Sequence, residues 1–349
     1  MNETIIAPAW RRSFAAALAL LVCGSVWAAA GPARAPDRPR FVYGPYQFLG
    51  LPGGPGRAAL LAPDGQPLPT GSALTWAFAT GECGDENWSG VPGQQVADAN
   101  VAAFERAGID FIISTGGQGG VFTCATDEGM ARFLKRYASP RFVGIDFDIE
   151  AAQTPAQIDA IVQRARNVQR GRNVHGAVPA LRFSFTIATH AASDGSRQSL
   201  NKTGETILSA IRKHGLKGYV LNLMVMDFGP ASSKVCVVRE GRCDMGASAL
   251  QAARNVHEKY KVPLSQLELT AMIGMNDVVE NVFTIDDARS VAAAVKAQGL
   301  AGLHFWSIDR DKPCAAPMTA ADGNCNGAPG VPAAAFTRAM AAAMAQPGK

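Results

Sequence analysis

Residues 146–150 read Asp-Phe-Asp-Ile-Glu, with an acid at every second position. In an extended strand successive side chains point to opposite faces, so Asp146, Asp148 and Glu150 share one face while Phe147 and Ile149 take the other. Burying three carboxylates together is costly unless they are put to use. Calcium and magnesium prefer oxygen ligands that converge from loops, and carboxylates spaced about 7 Å along a straight strand serve them poorly. No metal or other cofactor is therefore expected. Acid–base catalysis suits the pattern better: like charges so close cannot all ionise, so at least one apparent pKa rises, and a protonated Glu150 near neutral pH is the useful result.

Other chemistries find little support. The histidines, His175, His190, His214, His257 and His304, form no HExxH or other close pair, and no GxSxG elbow occurs. The glycine-rich run at 116–120 lacks the following Lys-Ser/Thr of a phosphate loop. Two N-x-S/T matches, at Asn87 and Asn201, are short enough to arise by chance.

An acidic strand does chemistry only if other elements hold it. Eight short apolar runs, at 41–48, 73–80, 110–115, 142–149, 181–189, 218–228, 267–273 and 302–308, have the length and the β-branched or aromatic content of buried parallel strands. Helical patterns lie between most of them, at about 96–107, 126–138, 154–169, 203–214, 246–260 and 285–298, and a last one falls near 332–345. In the 154–169 segment Thr154 is the N-cap, Pro155 takes the first helical position and Gln157 completes a capping box. Eight alternations of strand and helix predict a (β/α)8 TIM barrel, with a Gly/Pro-rich excursion over 50–72 where the first helix would be. In that barrel the three acids point inward and rise toward the rim where βα loops build active sites.

On these residues the chain resembles glycoside hydrolase family 18, the chitinases and endo-β-N-acetylglucosaminidases. Asp146-x-Asp148-x-Glu150 is similar to the DxxDxDxE signature, Ser114-Thr115-Gly116-Gly117 to the SxGG of the third strand, Met224-Val225-Met226-Asp227-Phe228 to the sixth-strand MxYDF, and Trp306 to the eighth-strand tryptophan. The resemblance implies a substrate-assisted retaining mechanism. Glu150 would protonate the glycosidic oxygen, Asp148 would hold the acetamido N–H, and Asp146 would share a proton with Asp148. Trp306 would floor the sugar in subsite −1, Met224 would pack beneath its acetamido group, and Asp227 would bond the substrate or Glu150. Tyr46 and Ser114 would support the aspartates, and Gly117 would belong to the same substrate cleft. Two positions depart from the pattern. Val143 replaces the signature's first Asp, and Met226 replaces a tyrosine whose hydroxyl donates to the acetamido oxygen. That donor must come from elsewhere, with Gln118 and Asn276 as candidates; some bacterial and archaeal chitinases resemble this chain in their Met-x-Met-Asp.

The chain of 349 residues is 48% hydrophobic and 18% charged, which excludes a disordered chain or a coiled coil and leaves ample sequence for one large core. Arg11-Arg12, an apolar stretch from Phe14 to Val26, and small residues at Ala28-Ala29-Ala30 or Ala33-Arg34-Ala35 read as a signal peptide over 1–35, with the catalytic domain over 36–349. Its loss removes three arginines and one glutamate, lowering the net charge from +4 to +2, and no polybasic stretch remains to favour nucleic acid or a membrane. Export leaves six cysteines, Cys83, Cys124, Cys236, Cys243, Cys314 and Cys325, with no CxxC among them. An even count in an oxidising compartment suggests disulfides. Fifteen pairings are open; local closure favours Cys236 with Cys243 and Cys314 with Cys325, leaving Cys83 with Cys124. The expectation is a secreted or periplasmic monomeric glycosidase acting on chitin or N-acetylglucosamine oligosaccharides. An N-glycan endo-β-N-acetylglucosaminidase and a non-catalytic chitin-binding lectin are the alternatives.

Overall fold

The computed structural model describes Met1 and residues 39–50, 56–150, 153–171 and 181–346, so the expected signal peptide lies, Met1 apart, outside the described residues. Eight parallel strands close into a barrel: β1 (Val42–Phe48), β2 (Ala73–Ala79), β3 (Asp110–Gly116), β4 (Phe142–Asp148), β5 (Arg182–Ala188), β6 (Val220–Met224), β7 (Leu267–Met272) and β8 (Gly302–Trp306). Each pairs with its neighbours in sequence, and β8 pairs with β1. Around them run α1 (Gly93–Ala107), α2 (Asp127–Arg136), α3 (Pro155–Gln169), α4 (Lys202–His214), α5 (Met245–Tyr260), α6 (Ile285–Gln298) and α7 (Ala335–Ala345). No helix joins β1 to β2 among the described residues, and the capping box at Thr154 and Gln157 forms as its sequence predicts.

Outward-facing strand residues pack under the helices. Trp76 stacks on Phe111 with ring centroids 4.3 Å apart and meets Phe104 of α1 edge-on at 4.9 Å. The helix after β8 is docked by one buried acid: Asp311 accepts hydrogen bonds from the Phe336 and Thr337 amides and the Thr337 hydroxyl.

Inward-facing residues include polar groups at the strand starts and at mid-height, beside a small apolar cluster of Val42, Ala73 and Ile112. Near the strand starts, the Arg182 guanidinium pairs with Glu268, and His304 Nε2 lies 3.2 Å from the same carboxyl. At mid-height Asn222 donates to the Tyr46 and Thr186 hydroxyls, each at 2.8 Å, and accepts from Thr270 at 2.8 Å. Three disulfides, Cys83–Cys124, Cys236–Cys243 and Cys314–Cys325, tie loops that follow β2, β3, β6 and β8, all on the rim where the strands end.

Six strands stop short of their apolar runs, four of them by a single residue, β8 by two and β6 by four. β6 ends at Met224, not Phe228, because the chain turns at Asp227 (φ 50°), whose amide donates to Asn276. β4 ends at Asp148, and after Trp306 the chain passes into a single 3-10 turn at Ile308–Arg310.

Candidate active site

β4 carries the acids up the barrel as alternation predicts. Its register sets Asp146 beside Ser114 of β3 and Ser184 of β5, and Asp148 beside Gly116 and Thr186. The Asp146 carboxyl is buried and accepts four hydroxyl hydrogen bonds: from Tyr46 (2.9 Å) and Ser114 (2.7 Å) on Oδ2, and from Ser184 and Thr186 (2.8 Å each) on Oδ1. That set occupies both oxygens of an acceptor-only carboxylate. Burial, with Asp146 and Asp148 alongside, pushes the Tyr46 phenol well above its usual range, so Tyr46 keeps its proton and donates.

Asp148, one inward step higher, is also buried, but its Oδ1 has no hydrogen-bond partner. Burial first, then the charges of Asp146 and Glu150, hold its pKa well above the ordinary carboxylate range. No hydrogen bond joins Asp146 to Asp148 among the described residues, where the Asp146 oxygens are engaged by the four hydroxyls. Glu150 stands at the mouth, and its pKa is raised by burial, then by Asp227 and Asp277. Asp227 is raised too, by burial and by Asp277 against the Val278 amide that it accepts at 2.8 Å. It makes no hydrogen bond to Glu150, and its influence there is through charge.

Above the acids opens a cavity of about 350 Å³. Asp148, Glu150, Asp227, Met224, Met226, Tyr46, Gln118 and Trp306 all line it. Ser114 lies beneath as an Asp146 donor. Gly117 does not line the cavity: a Cβ there would fall 2.6 Å from the Phe78 ring, and at Gly116 one would fall 2.2 Å from the Asp148 carbonyl. These glycines let β3 lie close against the acidic strand and the aromatic floor. Asn276 is a correction. It is fully buried, its Nδ2 donates to the Met272 (2.9 Å) and Gly274 (3.1 Å) carbonyls, and its Oδ1 accepts the Asp227 amide, so nothing remains to replace the missing tyrosine hydroxyl.

Several residues of the cavity escape a reading of the sequence. Phe78 stacks on Trp306 with centroids 5.5 Å apart and planes 14° apart, doubling the apolar floor. The register of β2 shifts between Trp76 and Ala79, so strict alternation along this run gives Phe78 the wrong face. Asp277 sits on the loop after β7, beyond any periodic signal. His190 was within reach: Ser184, Thr186 and Ala188 face inward, and one more step of two gives His190.

No protein-family model matches the chain. It is 27% identical over 299 residues, 79% of its length, to a probable bifunctional chitinase/lysozyme of Escherichia coli K12, and 26% identical over 234 residues to endochitinase 11 of Metarhizium anisopliae. It spans only 31% and 43% of those two proteins. Its structure superposes on the catalytic domain of a hyperthermophilic chitinase from Pyrococcus furiosus with a TM-score of 0.66 at 24% identity, covering 91% of this chain and all of that one. The chain is chitinase-like in sequence and in fold. A group IV chitinase of Ostrinia furnacalis, solved with allosamidin, shares the chitinase-like barrel at only 10% identity, with a TM-score of 0.52 over 87% of this chain and 99% of that one.

Proposed function

We propose that residues 36–349 form an exported glycosidase that cleaves β-1,4 linkages between N-acetylglucosamine units by substrate-assisted catalysis. One observation carries the reading: Asp148 is buried below Glu150, keeps an oxygen without a hydrogen-bond partner, and lines a cavity floored by stacked Trp306 and Phe78. A buried acceptor without a partner is unstable by itself and calls for a donor from outside the protein. An acetamido N–H supplies that donor, and the apolar face of its sugar suits the Trp306 ring. The chitinase relatives, and the Pyrococcus domain 2 structures described with chito-oligosaccharides, support the same substrate class.

The chemistry rests on the acids. Glu150, its pKa raised by burial and then by Asp227 and Asp277, gives its proton to the glycosidic oxygen. As that bond breaks, the acetamido oxygen attacks the anomeric carbon and forms an oxazolinium ring. Asp148 accepts the N–H, and the surrounding acids stabilise the cation. The Glu150 carboxylate then takes a proton from the water that opens the ring, so configuration is retained. Met226 leaves the acetamido oxygen without a tyrosine donor, and Gln118 is the expected amide that reaches the cavity. The three disulfides and the Arg11–Ala35 segment support export.

The test is product analysis on chitin oligomers. The β-anomer should appear first, and a thiazoline analogue of N-acetylglucosamine should inhibit. First release of the α-anomer would refute the mechanism, and binding of oligomers without cleavage would favour a lectin.

A further inference from the structure

The excursion after β5 closes on itself at its base. An isolated bridge pairs Thr189 with Leu200, and the His190 amide donates to the Ser199 carbonyl at 2.9 Å. Its middle is fastened to the neighbouring loop, where the Ala191 amide donates to the Val235 carbonyl at 2.8 Å and the Ser193 hydroxyl to that of Cys236 at 2.9 Å. Helix α5 adds a further tie, from Asn255 Nδ2 to the Ala192 carbonyl at 2.8 Å. The effect is to set two side chains eleven positions apart in sequence, His190 and Asn201, on one wall of the cavity. Neither the His190 ring nor Asn201 Nδ2 has a hydrogen-bond partner among the described residues. Asn201 Oδ1 is committed, since it accepts the Gly204 amide at 2.9 Å as the N-cap of α4.

The place of this wall in the barrel gives it a role. Asp148 pairs with Thr186 and the Ile149 amide donates to the Thr186 carbonyl, so the chain rises beside β5 toward Glu150, which lines the same cavity as Ala188 and His190. In the closed strand order β5 is opposite β1, while the aromatic floor comes from β8 and β2, which flank β1. A sugar seated on Trp306 therefore has Glu150 at its scissile oxygen and the His190–Asn201 wall beyond it.

Resting on the chitinase-like reading of the site, we propose that His190 and Asn201 form the subsite for the leaving-group sugar and make the enzyme favour a sugar there over a leaving group without acceptor oxygens. With its oxygen used in the helix cap, Asn201 offers only N–H, and the imidazole offers one ring N–H; both suit acceptor oxygens, such as the hydroxyls or acetamido carbonyl of that sugar.

The experiment compares N-acetylchitotetraose with the 4-nitrophenyl glycoside of N,N′-diacetylchitobiose, whose leaving group lacks those oxygens. His190→Ala removes the ring. Asn201→Asp removes the donor but keeps the cap acceptor, so α4 is preserved. Each variant should lose about tenfold in kcat/KM on the tetramer, the worth of a good hydrogen bond, while nitrophenol release stays within about twofold. Equal losses on both substrates, or none on either, would overturn the proposal. Wild-type protein that cleaves neither substrate sinks the underlying glycosidase reading instead. Tetramer binding by calorimetry in a Glu150→Gln background then decides the wall separately: weaker binding in both variants supports it, and unchanged binding overturns it.

Discussion

Asp148 ends β4 and Glu150 lies two residues beyond it, yet their surroundings differ, and the difference suits the proposed two-step reaction. Glu150→Gln keeps shape and hydrogen-bonding capacity but has no proton to give, so turnover should vanish while oligosaccharide binding stays within about tenfold, or 1.4 kcal/mol. Titration calorimetry beside a reducing-sugar assay checks both halves. Burial is the largest contribution to the raised Glu150 pKa, with Asp227 and Asp277 adding to it. Removing one of those negative charges lowers that pKa, so Asp227→Asn should move the alkaline limb of the kcat/KM profile to lower pH. A limb that stays put would show that Asp227 acts on the substrate alone. The convergence of these acids on one cavity was legible because alternation is a property of any strand, and an acid at every second position has few uses. The hydroxyl cage of Asp146 was less so: Tyr46, Ser114, and the pair Ser184 and Thr186 lie on three strands, and only closure of the barrel brings them together.

Strand positions were readable to within a few residues because apolar runs bounded by polar helices are strong local signals. The segments beyond the strand ends were not. Phe78 faces the cavity through an irregularity in the β2–β3 pairing, and Asp277 is carried by a loop that Asn276 and Asp227 fasten through backbone amides. Such features depend on contacts between segments far apart in sequence. Disulfides do the same work on the rim, and they differ in reach. Cys83–Cys124 spans 41 residues, against 7 for Cys236–Cys243 and 11 for Cys314–Cys325. In the chain-entropy picture the first stabilises by about 4 kcal/mol and the second by about 2 kcal/mol. Replacing both members of each pair by serine should lower Tm most for Cys83/Cys124, as calorimetry can show. Thiol labelling of the unfolded, unreduced protein should find none of the six free.

The barrel as a whole carries two sets of buried acids with opposite effects on stability. At its base, burial alone would raise the Glu268 pKa, but Arg182 and His304 outweigh it and hold the carboxyl at about 2. A carboxylate with a depressed folded pKa contributes stability that is complete above its unfolded value, about 4.3, and is lost as pH falls toward 2. Glu268→Gln should flatten the dependence of stability on pH in that window and cost about 3–5 kcal/mol at neutral pH, because Arg182 is left buried without its partner. The acids proposed for catalysis run the other way. Asp148 has a raised folded pKa, so the stability linked to its protonated form is present at low pH and is lost as pH rises through that value. Holding Asp148 beside Asp146 and Glu150 is thus a strain that the rest of the barrel must offset. Asp148→Asn removes the charge and leaves the shape, so at neutral pH it should raise Tm by about 2 °C, the equivalent of about 1 kcal/mol for a domain of this size. The same change should cut kcat a hundredfold or more, since the acetamido cation loses its charged partner. Calorimetry at pH 7 and at pH 4 separates the cases: a gain at pH 7 that shrinks at pH 4 is the signature of a relieved carboxylate. A gain of equal size at both would show that the substitution stabilises by packing, and the electrostatic account of this site would fall with it.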